Sequence, residues 1–262
     1  MVLAGGRSSR MGRPKAALDW YGSTLLYRAA ALLGRTVDGP VVVIAARGQS
    51  LPALPAGVRV VTDPVEGLGP LAGIGTGLTA VTADAAFVCS TDLPFLHPAF
   101  VRRVVRALGP TPDQPRVDVA LPHAGGFRQP LAAAYRTDLA PLIAALVSDG
   151  MLRPGMLFDR VTVAQLDDAD LLADPDIARL DPDLDSVLNI NTLDDYAAAR
   201  ARALPAVSVH RGGAVTVARA ATMGALAGSG TVTLNGRPAA ADPGLPLVSG
   251  DTVTFGDTVT FG

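Results

Sequence analysis

Short apolar runs rich in Val, Ile and Ala alternate along most of this chain with longer Ala- and Leu-rich amphipathic stretches. An uninterrupted apolar run lacks the period-two alternation of a strand with one wet face, so each must be covered on both sides. Helix-length segments between such runs are the pattern of βαβ units and a parallel sheet. The residues place strands at 2–3, 41–45, 58–61, 86–90, 117–121 and 131–135, and helices at 24–33, 71–81, 98–108, 140–147 and 193–203. Thr192 suits a helix cap ahead of Leu193, and Pro98 suits a first turn. The expected fold class is α/β, a doubly wound, mostly parallel sheet. In such a sheet ligands bind beyond the carboxyl ends of the strands. The first strand, Val2–Leu3, is short for a central one and is expected as a stub.

At 262 residues the chain has room for one large domain or one plus a small one. Hydrophobic residues make 49% and aromatics 5%, so the core is aliphatic. A net charge of −2 argues against a nucleic-acid-coating protein and makes any basic cluster a local feature. The single cysteine, Cys89, allows no intrachain disulfide and sits in an apolar run as a buried structural thiol. No apolar stretch approaches the ~18 residues of a membrane helix, and no signal-peptide pattern opens the chain. A cytoplasmic protein with no membrane or nucleic-acid partner is expected. His97, His123 and His210 lie far apart, which argues against zinc and against a Ser-His-Asp arrangement.

The most chemical segment is Leu3-Ala4-Gly5-Gly6-Arg7-Ser8-Ser9-Arg10-Met11-Gly12-Arg13-Pro14-Lys15, which contains no acid. Glycines let backbone N–H groups crowd a polyanion. Arg10 and Lys15 add fixed positive charge at a reach that suits a triphosphate. Taken alone, Gly5-Gly6 reads as an ordinary turn; the whole string, with Lys15 in register, does not. It is neither the Walker P-loop nor the dinucleotide fingerprint. After the strand at 86–90 comes Thr91-Asp92-Leu93-Pro94, an acid past a parallel strand end, placed to bind Mg²⁺ alongside substrate phosphates or to cap a turn. Asp63 follows another strand and precedes Gly69-Pro70-Leu71-Ala72-Gly73, which also reads as a helix start. In Asn189-Ile190-Asn191-Thr192, alternate residues share a face and offer two amides to a pterin, a phosphate or a metal, while Asn191-Thr192 also reads as a helix cap.

These motifs, in this order over roughly residues 2–200, resemble the nucleotidyltransferases that include molybdenum cofactor guanylyltransferase, whose signature loop reads L-A-G-G-x-x-x-R-M-G-x-x-K. The resemblance implies that Leu3, Ala4, Gly5, Gly6, Lys15, Asp63, Gly69, Pro70 and Gly73 bind the nucleotide. It makes Asp92 the metal ligand, in a segment one residue longer between Cys89 and the acid than in some relatives. Lys15, Arg10 and Asp92 become catalytic. Gln129 and Pro130 fall on the acceptor side with Asn189 and Asn191, and Arg153 lies where relatives carry a basic acceptor-binding stretch. Relatives often place an asparagine near the end of the second strand; here that stretch reads Ile44-Ala45-Ala46-Arg47.

The implied reaction transfers GMP from GTP to Mo-molybdopterin with release of pyrophosphate, using Mg²⁺ or Mn²⁺. Proteins of molybdenum-cofactor synthesis or delivery are the implied partners. A CTP-dependent cytidylyltransferase is the alternative within the class, and a non-catalytic nucleotide-binding or adaptor protein the alternative outside it. After Pro205 helical stretches give way to β-branched runs at 207–209, 215–217, 231–234 and 252–255, with a short helix around 222–227 and a turn at Asn235-Gly236. Residues 1–204 are therefore expected to form the transferase domain and 205–262 a small β-grasp-like one. The latter weakly resembles the sulfur carriers of molybdopterin synthesis, which end in Gly-Gly, whereas Gly250–Phe255 repeats here as Gly256–Phe261 and the last eight residues suit a poorly ordered tail. Every chemical motif precedes residue 200, so the segment from Pro205 onward is expected to be dispensable for turnover.

Overall fold

The computed structural model describes residues 1–5, 14–64, 67–109, 116–226, 228, 230–239 and 242–256. Its main sheet contains β1 (Val2–Leu3), β2 (Val42–Ala45), β3 (Arg59–Thr62), β4 (Ala85–Ser90), β5 (Val119–Ala124), β6 (Phe127–Arg128), β7 (Ala132–Arg136) and β8 (Val163–Asp167). The order is β3-β2-β1-β4-β7-β5-β6, with β8 beside β5. The first four strands are parallel, as the apolar runs require. β7 then pairs antiparallel with both β4 and β5, so the sheet is mixed rather than mostly parallel. The reason is local: β5, β6 and β7 follow one another through short turns, and a parallel return needs a crossover of a dozen or more residues.

Alternate side chains along each core strand enter opposite layers. Val2, Val43, Phe87 and Cys89 join one cluster with Leu26 and Leu33 of α1 (Leu25–Gly34). Leu3, Val42, Ile44 and Val88 join the other with Leu71, Ile74 and Leu78 of α2 (Gly69–Ala80). The first layer also takes Phe100 and Val104 of α3 (Pro98–Arg106), and the second Ile143 and Leu146 of α4 (Ala140–Ser148). Helices thus cover both faces, and each buried Val or Leu contributes roughly 1.5–3 kcal/mol. α2 approaches α4 so closely that a Cβ on Gly75 would sit 2.7 Å from Ile143 Cγ2, so any larger residue there would force Ile143 or the helices to shift.

Between residues 150 and 190 the structure has five elements where the sequence reading placed none: α5 (Pro154–Phe158), β8, α6 (Asp168–Leu172), α7 (Pro175–Leu180) and a short 3₁₀ turn, Asp185–Val187. α8 (Leu193–Ala201) follows, capped by Thr192, whose hydroxyl accepts from Asp195 N–H.

The last part of the chain forms a second mixed sheet from β9 (Ala206–Arg211), β10 (Ala214–Arg219), β11 (Val232–Leu234), β12 (Arg237–Ala239) and β13 (Thr252–Phe255). Its order is β10-β9-β13-β11-β12, with β13 parallel to β9. Asn235 and Gly236, both at positive φ, turn β11 into β12. The expected helix near 222–227 is instead one short turn, Met223–Ala225. The N–H groups of Met223 and Gly224 donate to Leu245 and Pro243 carbonyls, which ties this turn to the segment before β13. The sheet docks on α1, where Arg35 makes a bidentate pair with buried Asp251 at 2.9 and 3.0 Å. The second copy of the hexapeptide repeat, beyond Gly256, lies outside the described residues.

Candidate active site

The carboxyl ends of β1, β2, β3 and β4 form one edge, and most of the singled-out residues follow them directly. Gly5 follows β1, Asp63 follows β3, and Asp92 lies two residues beyond β4. Lys15 opens a short turn, Lys15–Ala17, that returns the chain to the same edge. Its Nζ lies 3.2 Å from Asp92 Oδ2 and 3.0 Å from Asn191 Oδ1. Residues 15, 92 and 191 are thus brought together from three distant parts of the sequence.

Asp92 and Asn191 are each held from behind. Ser90 Oγ donates to the other Asp92 oxygen, Oδ1. Ile190 N–H donates to the Asp92 carbonyl at 2.9 Å, fixing the Asn191 segment to the Asp92 loop. Asp195 Oδ2 accepts from the backbone N–H of both Asn191 and Thr192, at 2.9 and 2.8 Å. Those bonds, the Asn191 one foremost, hold the Asp195 carboxyl below the usual carboxylate range. One acid therefore caps α8 and aims Asn191.

Asp92 Oδ2 and Asn191 Oδ1 are two hard oxygens converging on one cationic position, where the Lys15 ammonium stands. That donor set fits Mg²⁺ or Mn²⁺ bound by few protein groups and completed by substrate phosphates and water. Among the described residues no cluster of three or more His, Cys, Asp or Glu could hold a metal ion. Burial pushes the Cys89 thiol up to about 12, so it is an inert core group at neutral pH.

At the start of α2, Gly69 has φ +75°, a left-handed conformation that favours glycine, and Pro70 occupies the first turn. Gly73 differs from Gly75: a Cβ there would make only ordinary contacts, 3.5 Å from Leu3 Cδ2 and 3.7 Å from Asp63 Oδ2. Packing does not demand a glycine at 73. Asp63 Oδ1 accepts from Thr76 Oγ1 of the same helix at 3.4 Å. The helix start read at 69–73 is present. The Leu152 carbonyl would lie 3.2 Å from a Cβ on Gly69, so the Met151–Gly155 segment, with exposed Arg153, adjoins the start of α2.

The residues expected on the acceptor side reach this edge because β7 is reversed. Its first residues lie beside the last ones of β4, with Ser90 N–H donating to Leu131 O. Gln129 Nε2 donates to Ala124 O and Tyr135 OH to Pro130 O, which fixes the turn into β7. Asn189 separates from Asn191: its amide donates to Val187 O within its own loop and is exposed. Gly6 and Arg10 lie outside the described residues.

The sequence reading missed Ser90, Asp195 and Gln49. Gln49 Oε1 accepts from Ala46 N–H and its Nε2 donates to Ala4 O, both at 2.9 Å, tying the exits of β1 and β2 where the family asparagine is missing. Only Asp195 carried a legible signal, the Thr192-x-x-Asp195 capping-box spacing.

A doubly covered sheet whose carboxyl edge gathers a lysine, a hard-oxygen pair and a glycine-lined approach is built to move a nucleotidyl group, and the chain is a nucleotidyltransferase. The model of the MobA-like NTP transferase domain matches residues 1–163, and the chain belongs to that family. Proteins named probable molybdenum cofactor guanylyltransferase from Mycobacterium tuberculosis and Mycobacterium marinum are each 42% identical over 164 residues, covering 61% of this chain and 78% of theirs. The crystal structure of molybdopterin-guanine dinucleotide biosynthesis protein A from Archaeoglobus fulgidus has the same fold. Its TM-score is 0.57 at 21% identity, over 76% of this chain and 95% of that one.

Proposed function

We propose that this chain transfers GMP from GTP to the phosphate of Mo-molybdopterin, releasing pyrophosphate and forming the guanine dinucleotide cofactor. The observation that carries the reading is the convergence of Lys15, Asp92 and Asn191 at the strand edge between the Gly69–Gly73 helix start and the reversed strand β7. An acceptor phosphate oxygen attacks the α-phosphorus, the bond to the β-phosphate bridging oxygen breaks, and its electron pair leaves with pyrophosphate. Lys15, a compact point charge, offsets the negative charge gathering on that leaving group. A divalent metal, Mg²⁺ or Mn²⁺, supplies Lewis acidity toward the phosphate oxygens when bound, with Asp92 and Asn191 as its protein ligands. Gly5, Asp63, Gly69, Pro70 and Gly73 line the nucleoside side, with Leu3 and Ala4 beneath. Gln129, Pro130, Arg153 and Asn189 serve the acceptor, and Gly6 and Arg10 the triphosphate.

Residues 205–262 are read as a β-grasp-like module, supported by a mixed sheet whose first and last strands run parallel at its centre. No helix among the described residues is long and apolar enough to cross a membrane.

The deciding experiment measures pyrophosphate release with each NTP, with and without Mo-molybdopterin, using Lys15→Ala as background. Release is expected with GTP only when acceptor is present. A preference for CTP would replace guanylyl by cytidylyl transfer. GTP binding with no release under any condition would favour the adaptor reading.

A further inference from the structure

Arg28 sits on α1 with only 7% of its surface exposed, among apolar side chains that form the core. Burial lowers its pKa to about 10, so the guanidinium stays charged at neutral pH. A buried charge is costly unless hydrogen-bonded. Among the described residues Arg28 forms no ion pair; it grips two backbone carbonyls. Nε donates to Pro94 O at 2.5 Å, and the terminal NH1 to Ala221 O at 3.4 Å. Pro94 belongs to the loop that carries Asp92, whereas Ala221 belongs to the C-terminal module, between β10 and β11.

The same loop is tied to that module a second time. His97 Nδ1 accepts from Ala99 N–H at 3.1 Å, which leaves the proton on Nε2, 3.0 Å from Ser249 O. The segment from Asp92 to His97 is therefore held by Ile190 and Ser186 on one side and, through Arg28 and His97, by the C-terminal module on the other. Pro94 has no N–H with which to anchor the turn itself, so the grip on its carbonyl carries the more weight.

We propose that Arg28, anchored on Ala221 of the C-terminal module, is the positioning residue that fixes the Asp92 loop, so that its grip on the Pro94 carbonyl sets the affinity for the divalent metal. The inference rests on Asp92 being a metal ligand, and it runs against the expectation that everything after Pro205 is dispensable.

The test uses the full chain and Mn²⁺, read by electron paramagnetic resonance in the presence of GTP without acceptor. Arg28→Met keeps the stem and removes the donors; Tyr27→Phe removes the Tyr27–Asp242 bond between α1 and the module without touching the loop. Outer groups that orient a metal ligand typically set 10–100-fold in affinity, so Arg28→Met should weaken Mn²⁺ binding by at least roughly tenfold. Tyr27→Phe should lower the melting temperature and leave Mn²⁺ binding unchanged. If Arg28→Met fails to fold, Arg28→Lys decides, since one ammonium cannot reach both carbonyls with guanidinium geometry. Binding within twofold of the parent in the folded variant, or an equal loss in Tyr27→Phe, overturns the coupling. Asp92→Asn is the control: if it leaves Mn²⁺ binding unchanged, the site assignment itself falls.

Discussion

Asp92→Asn separates a metal ligand from a turn residue. In the free protein the Asp92 carboxylate pairs with Lys15 at 3.2 Å, each side chain being about one-fifth exposed (18% and 19%). At an effective dielectric of 20 the bare attraction is about 5 kcal/mol. Desolvation and side-chain ordering cancel most of it, and partly exposed pairs net about 0–1 kcal/mol. Asparagine keeps an oxygen for Ser90 Oγ and leaves the backbone bond to Ile190 in place, so the folded state should lose under ~1 kcal/mol. The chemical step loses far more, because the removed charge faces a hard cation and developing phosphate charge; one such contact is worth ~2.7–4 kcal/mol, or about 10²–10³ in rate. Pyrophosphate release should therefore fall by that factor and need much higher Mg²⁺, while the melting temperature stays nearly fixed. A Mg²⁺ titration that overlays the parent would falsify the assignment, as would a large loss of stability with the rate intact.

Two further substitutions probe the neighbourhood. Gly73→Ala adds a methyl that the fold accommodates, and alanine is favoured over glycine in a helix by about 1 kcal/mol. The protein should melt higher while KM for GTP rises, and an unchanged KM would remove this segment from nucleoside binding. Burial raises the Asp181 carboxyl from 3.8 to about 6. The folded state then holds a proton that the unfolded chain releases, so this group's contribution to stability falls as pH rises from about 4 to about 6. The size is roughly 3 kcal/mol at 1.36 kcal/mol per pH unit. Asp181→Asn should abolish that slope and be the more stable protein at pH 7. Urea midpoints at pH 4, 5, 6 and 7 that run parallel for variant and parent would contradict burial as the cause.

The parallel core was legible because a strand buried on both faces leaves a continuous apolar run, as in Val41–Ala45 and Ala86–Ser90. The reversal at β7 was not: Ala132, Ala133 and Ala134 look alike in either direction, and only the brevity of the turns around Phe127 marks it. α5, α6 and α7 are five or six residues long, too short for helical periodicity to emerge, and they depend on Asp and Pro caps. In the site, Lys15 and Asp92 could be singled out by residue type next to a strand end. The division between Asn189 and Asn191 could not, since it turns on where Lys15 arrives in space. Gln49 and Arg28 reach backbone carbonyls far away in sequence, and such partnerships leave no local pattern.

The reversed strand also governs which parts of the enzyme are free to vary. At the edge where the parallel strands end, β7 begins, so the loop entering it comes from the β5–β6 hairpin, whose Phe127 is 73% exposed. A lengthened or rebuilt hairpin there would alter what meets the nucleotide from the acceptor side, yet would leave the pairing of Cys89 with Ala132, and hence the position of Asp92, undisturbed. On the proposed reading, donor chemistry and acceptor choice would be written on opposite ends of neighbouring strands, so that the second could be revised without erasing the first.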